Sequence, residues 1–141
     1  PFGMETDANW WLDSPDGHEI GGSGLSATLR DFGRFGLFFL NGGVIDDANI
    51  LPAGWTHDAS TPKTLTGGNT IEYGYMWWTA GGAPNTVNDG AYMAVGIFGQ
   101  AIYINPREHV VIVQWSAHTQ PSGGEVVDSG DFFGAVALAL R

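Results

Sequence analysis

A chain of 141 residues with 43% apolar and 13% aromatic content carries enough apolar surface for a real core, which excludes a disordered segment. Fifteen acidic residues against 5 basic ones give a net charge of −10, so nucleic acid and anionic membrane surfaces are poor partners. The absence of cysteine removes disulfides, thiolate chemistry and Cys-based zinc sites, and leaves the compartment open.

Charged residues are only 14% of the chain and glycines number 22, the composition of a loop-rich wall in which backbone approaches backbone. The start, Pro1-Phe2-Gly3-Met4, has neither a basic n-region nor an initiator Met, and the chain is expected to begin in mid-domain. Residues 1 to 24 show no period and read as a long ordered loop with a short strand around Trp10 to Leu12, ending in Gly21-Gly22-Ser23-Gly24. Ser26 or Thr28 can then cap a helix, Thr28 with Asp31 forming a capping-box pattern. Leu29, Phe32, Phe35, Phe39 and Leu40 supply its apolar stripe, Gly36 allows close packing, and Asn41-Gly42-Gly43 ends it.

Pro52 opens a short helix over Ala53 to Ala59. The aromatic run Tyr73 to Thr79 reads as a strand, followed by strands at Tyr92 to Val95, Gln100 to Asn105 and His109 to Ser116, the last two joined by Asn105-Pro106-Arg107-Glu108. Asp128 N-caps a closing helix with Phe132, Phe133, Val136, Ala137 and Leu140 at helical spacing. This pattern predicts an α+β architecture: antiparallel strands, a C-terminal helix and a preceding helical segment, all within one partial domain over residues 1–141. Val110-Val111-Ile112-Val113 is apolar on consecutive residues, so both its faces need cover, and the expectation is that this chain lacks the elements to cover the second.

The order of several short motifs resembles the C-terminal portion of the serine β-lactamase and penicillin-binding-protein-like hydrolases. The anchors are Pro1-Phe2-Gly3-Met4, Gly24-Leu25-Ser26-Ala27-Thr28-Leu29-Arg30-Asp31-Phe32-Gly33-Arg34-Phe35-Gly36, Leu40-Asn41-Gly42-Gly43, Leu51-Pro52, Tyr73-Gly74-Tyr75-Met76-Trp77-Trp78, and Gly96-Ile97-Phe98-Gly99-Gln100 leading to Asn105-Pro106. The last of these and the paired Trp look closest to the 6-aminohexanoate-dimer hydrolase and esterase branch. Such enzymes use a Ser-x-x-Lys motif, a Tyr-x-Asn-like motif and a Lys-Thr-Gly-like strand. The resemblance puts the first two upstream of Pro1. At the third this chain has Ala94-Val95-Gly96, which lacks the cation and the hydroxyl and weakens a penicillin-directed reading.

Backbone chemistry survives that replacement, because the Ile97 N–H beside Gly96 can still point at a developing oxyanion. By the resemblance Gly96 and Phe98 line the substrate, Trp78 forms a wall, and Gly22 and Ser23 stand at the rim. Gly96 to Gln100 also reads as a simple hairpin turn, and Ser23 as a turn residue. Ser60-Thr61-Pro62-Lys63 and Tyr103-Ile104-Asn105 match the first two motifs in letters only. The former has a proline and no following apolar helix; the latter precedes Pro106 on a strand, where Tyr103 reads as a packing residue. His18, His57, His109 and His118 have no ligand spacing and read as surface residues, so no metal or cofactor is expected; Asp46-Asp47 reads as solvated loop charge. Of Trp77 and Trp78, one faces inward and the other a cleft or a partner.

These readings predict one wall of a serine hydrolase cleaving amide or ester bonds through an acyl-enzyme, with the nucleophile absent here and the missing N-terminal polypeptide as partner. The substrates in view are a linear amide such as an aminohexanoate oligomer, a small ester or a β-lactam; a β-lactamase or D-amino-acid peptidase fragment is one alternative. The other is a non-catalytic module that self-associates or binds a partner through exposed strand edges.

Overall fold

The computed structural model describes residues 2–79, 82–123 and 126–141; Pro1, the first residue of the N-terminal anchor, lies outside them. In chain order the elements are β1 (Asn9–Trp10), β2 (Leu25–Ser26), α1 (Leu29–Leu40), β3 (Val44–Ile45), β4 (Ala48–Asn49), α2 (Trp55–Ala59), β5 (Lys63–Thr64) and β6 (Thr70–Ile71). There follow β7 (Trp78–Thr79), β8 (Tyr92–Val95), β9 (Ala101–Asn105), β10 (Val110–Gln114) and α3 (Ser129–Ala139). The last four strands form one antiparallel sheet in the order β10-β9-β8-β7, and the first six pair off as three two-stranded ribbons. This is the α+β arrangement of helices and antiparallel strands that the patterning predicts.

Period-two alternation along β9 sorts the core into two layers. Ile102 and Ile104 join Tyr92, Ala94 and Val111 on the face packed against Phe35, Phe38 and Phe39 of α1 and against Trp77. Ala101, Tyr103, Met93 and Ile112 face the other way, onto Phe133 of α3. Both faces of the sheet are therefore covered, which corrects the expectation that a second cover is lacking: α1, read from sequence as a separate segment, is that cover. It comes close because Gly36 has no side chain; a Cβ there would sit 2.5 Å from Val111 Cγ1 and 3.3 Å from Ile102 Cγ2. Phe38, absent from the predicted stripe, stacks on Phe2 with ring centroids 5.4 Å apart.

The cap of α1 is more than a box. Thr28 Oγ1 accepts from the Asp31 N–H at 3.1 Å and donates to Asp31 Oδ2 at 2.8 Å, while the Asp31 carboxylate turns outward from the helix to accept from the Glu5 N–H at 2.7 Å and the Thr6 hydroxyl at 3.0 Å. One carboxylate, 1% exposed, thus ties the N-terminal loop to the helix start. The Glu5 N–H first, then the Thr28 and Thr6 hydroxyls, hold its pKa below the ordinary 3.8 against the opposing effect of burial.

The run Tyr73 to Thr79 departs from the single predicted strand. Tyr73 bridges back to Trp78, the Gly74 N–H donates to the Trp77 carbonyl at 2.8 Å, and Met76 takes φ +66°, so the chain makes a tight reversal and only Trp78–Thr79 joins the sheet. Gly74 fixes the reversal: the space its Cβ would fill holds the Ala59 carbonyl oxygen. The reversal turns Trp77 inward, 5% exposed, and Trp78 outward, 51% exposed, as alternation requires.

Two outcomes follow. Gly36→Ala is expected to lower stability by up to about 2 kcal/mol in urea titration, the overpacking cost of roughly 1–3 kcal/mol against a stiff valine being offset by the ~1 kcal/mol gain in helix propensity. Since the folded Asp31 pKa is depressed, its stabilisation is complete above the ordinary value of 3.8 and is lost as pH falls through the lower folded value. The melting temperature of wild type should therefore drop across that acid range. Asp31→Asn should start lower at pH 7 and show a flatter acid profile in thermal scans by circular dichroism.

Candidate active site

Strand β8 ends at Val95 and hands the chain to a turn pinned from several sides. The Gly99 N–H donates to the Gly96 carbonyl at 3.1 Å, closing four residues in which Phe98, third in order, has φ +69°, the left-handed value that a type II turn demands there. A phenylalanine in that region is strained and persists only where its surroundings impose it. They do: the Phe98 N–H donates to the Pro121 carbonyl at 3.1 Å, and its own carbonyl accepts from the His118 N–H at 3.0 Å. Gly99, at φ +90°, lies against the His118 imidazole, and Gln114 Nε2 donates to the Gly99 carbonyl at 2.9 Å.

The Gly96 N–H is spent on the Gln100 carbonyl at 2.7 Å, and those of Phe98 and Gly99 on the partners above. Among the described residues only the Ile97 N–H in this turn has no protein acceptor, and Ile97 is 66% exposed. Beside it the edge of β8 is also open. Among the described residues β7 pairs only with Tyr92 and Met93, and Ala94 and Val95 have no strand neighbour on that side. Trp78 sits opposite Met93 and stacks edge-on against Tyr73, with ring centroids 4.7 Å apart. A hollow of about 590 Å³ behind the turn is lined by Gln114, His118, Ser129 and Phe132, among others.

Of the site residues named from sequence, Gly96, Ile97 and Phe98 share this one turn, and Trp78 lies one strand away. Gly22 and Ser23 lie in the connection between β1 and β2, where the Ser23 N–H meets the Ile20 carbonyl at 3.4 Å; among the described residues no hydrogen bond links them to the turn. The letter matches fall apart as sites. Ser60 Oγ donates to the His57 carbonyl at 3.2 Å, and Lys63 Nζ stands 4.7 Å from the centre of the Tyr75 ring. Tyr103 is fully buried, donates to Asn88 Oδ1 at 2.9 Å and accepts from Asn105 Nδ2 at 2.8 Å; burial pushes its hydroxyl above the ordinary 10, unfit for proton transfer near neutrality. Asp46 and Asp47 both have positive φ in the turn between β3 and β4.

His118 does not fit the surface reading given to all four histidines. It is half-buried under Gly99, whereas His18, His57 and His109 are exposed. Together with Gln114 it holds the turn from behind, and neither was singled out from sequence. Their contacts cross 15 residues or more, a distance at which no local spacing gives a signal. Among the described residues no group of three His, Asp or Glu side chains is placed to hold a metal ion.

The Beta-lactamase family profile matches residues 2–130, and the chain belongs to that family. It is similar to the 6-aminohexanoate-dimer hydrolase of Paenarthrobacter ureafaciens, with 29% identity over 126 residues, 83% of this chain and 31% of the relative. A solved structure from Bacillus anthracis, provisionally assigned as a 6-aminohexanoate-dimer hydrolase, superposes with a TM-score of 0.70 at 30% identity, covering 99% of this chain and 34% of that one. The chain thus spans about a third of the length of the relatives it matches.

Gly99→Ala tests the pinning of the turn. Its Cβ would come within 2.3 Å of the His118 ring at a φ that side chains rarely adopt. A loss of about 1–3 kcal/mol is expected from the strain, with NMR shifts confined to Gly96–Gln100 and the segment around His118.

Proposed function

We propose that this chain forms the C-terminal wall, a single partial domain over residues 1–141, of a serine hydrolase that cleaves amide or ester bonds through an acyl-enzyme. The observation that carries the reading is the N–H of exposed Ile97, which among the described residues has no protein acceptor, in a four-residue turn at the end of β8 whose other N–H groups are engaged. A donor fixed in that way loses no reorganisation energy when negative charge develops on a carbonyl oxygen. Ile97 is one of two oxyanion donors; the other is the N–H of the serine nucleophile, which, with its Lys and Tyr, comes from polypeptide preceding Pro1. Gly96 admits the substrate backbone, Phe98 and Trp78 present apolar surface to it, and Gly22 and Ser23 stand at the rim.

Substrates follow from the missing charge. Ala94-Val95-Gly96 offers neither a cation nor a hydroxyl to a carboxylate beside the scissile bond, and the exposed apolar side chains near the turn, beside the exposed Gln100, are Trp78, Val95, Ile97 and Phe98. That surface suits the methylene chain of a linear amide or a small ester better than a β-lactam. The similarity to the Paenarthrobacter ureafaciens hydrolase supports the same order.

The test exploits turn geometry. Ile97 is second in its four-residue turn, the position where proline is favoured. Ile97→Pro therefore deletes the N–H and keeps the loop, whereas Ile97→Ala keeps the N–H. In enzyme assembled with the polypeptide carrying Ser and Lys, kcat/KM on a p-nitrophenyl ester is expected to fall about 10²–10³-fold for the proline variant, by analogy with loss of one oxyanion donor, and less than about tenfold for the alanine variant. Equal losses would sink the oxyanion assignment. A fluorophosphonate probe should leave the isolated chain without an adduct by intact mass; an adduct lost in Ser60→Ala would place the nucleophile here instead.

A further inference from the structure

One row of side chains crosses the whole sheet on the face under α3. The register sets Ile112 of β10 beside Tyr103 of β9, Tyr103 beside Met93 of β8, Met93 beside Trp78 of β7, and Trp78 beside Tyr73. Cover runs out along that row. Tyr103 is fully buried against Phe133, with ring centroids 5.4 Å apart, Met93 is half-buried, and Trp78 is 51% exposed. An indole at the end of such a row changes rotamer easily unless something holds its outer edge. Tyr73 stands there, edge-on with ring centroids 4.7 Å apart, and among the described residues no other ring meets Trp78. Backbone fixes Tyr73 in turn. The Thr79 N–H donates to the Glu72 carbonyl at 3.0 Å and the Gly74 N–H to the Trp77 carbonyl at 2.8 Å, one bond on either side of Tyr73 and Trp78. The two therefore form a non-hydrogen-bonded pair, the kind in which opposed side chains come closest. The hydroxyl adds little, since among the described residues its contact is Met76 Sδ at 3.9 Å.

We propose that Tyr73 is a positioning residue: its ring fixes the Trp78 indole as a flat wall for the acyl chain of the substrate, and so sets how much binding each added methylene contributes. The inference rests on the hydrolase reading above and on the place of Trp78 in it. A methylene gains from apolar contact in proportion to the area it covers, and an indole that swings between rotamers offers less of that area on average. On the same reading the reacting carbonyl is served by Ile97 in a separate turn. Tyr73 therefore acts on the binding of the chain and leaves the chemical step alone, and its effect grows with acyl length.

The experiment compares p-nitrophenyl acetate with p-nitrophenyl hexanoate in enzyme assembled with the polypeptide carrying Ser and Lys. In Tyr73→Ala, KM for the hexanoate ester is expected to rise about four- to fifteenfold, the equivalent of one or two methylenes returned to water, with kcat unchanged and the acetate ester shifted less than about twofold. Tyr73→Phe should match wild type on both esters, because the ring remains. Trp78→Ala should lose the same chain-length dependence, and Tyr73→Ala should add nothing to it in the double variant. In the isolated chain, the heteronuclear NOE of the Trp78 indole N–H should fall in Tyr73→Ala while that of buried Trp77 holds, which also reports that the fold is kept. Equal losses on both esters, a Tyr73→Phe variant as impaired as the alanine one, a Trp78→Ala variant that keeps its chain-length dependence, additive losses in the double variant or an unchanged Trp78 NOE would each overturn the proposal. Turnover by the wild-type assembly with no chain-length effect of Tyr73→Ala counts against the positioning alone; no turnover by the wild-type assembly removes the hydrolase reading and the positioning with it.

Discussion

The alternation along Ala101–Asn105 sends Ile102 and Ile104 to one side of the sheet and Ala101, Tyr103 and Asn105 to the other, and each set requires its own cover. That demand places α1 and α3 on opposite faces. It also explains the polar layer under α3: the buried Asn105 side chain donates to the Val87 carbonyl at 2.7 Å and to Tyr103, and accepts from the Glu108 N–H at 3.0 Å. A buried amide left without these partners would be costly, so the satisfied network fixes the loop before β8 and the hairpin after β9 in one arrangement. With β9 held from both sides, β8 is held too, and the turn at its end inherits a rigid base.

Local signals in the sequence were sufficient wherever the structure is decided locally. Thr28 and Asp128 cap the two long helices as their spacing implies, and Asn41 closes the first. The hairpin through Pro106 likewise follows from its residues. What could not be read is decided by contacts distant in sequence. The reversal at Tyr73–Trp78 depends on Gly74 meeting the Ala59 carbonyl, and the cover that α1 gives the sheet depends on Gly36 meeting Val111. For the same reason the candidate site was half legible: Gly96, Ile97 and Phe98 stand together in sequence and in space, while Gln114 and His118, which hold their turn, declare themselves only in three dimensions.

Phe98 marks the place where local preference and tertiary structure disagree. Its left-handed backbone would be relieved by glycine, yet the chain keeps an aromatic residue there and spends contacts from Pro121 and His118 to hold it. A strained residue over-determined by its neighbours is the usual sign of a position whose geometry matters more than its stability. Its neighbour Ile97 lies between two fixed points, the Gly96 carbonyl held by the Gly99 N–H and the Phe98 N–H held by the Pro121 carbonyl.

If the proposed function holds, that placement accounts for how the third motif can change so far without emptying the site. In Ala94-Val95-Gly96 a cation and a hydroxyl are missing, and both belong to recognition of a substrate's charge. On the proposed reading the N–H that follows serves the reacting carbonyl, and it is presented by β8, by the Gly96–Gln100 closure and by the pins on Phe98 and Gly99, none of which depends on the side chain at 94 or 95. On that reading substrate preference and oxyanion binding are carried by separable parts of the same strand end. A sheet that fixes the backbone donor can exchange the charged side chains beside it for apolar ones, and the range of acyl groups it admits shifts from anionic toward neutral while the chemistry at the carbonyl stays the same.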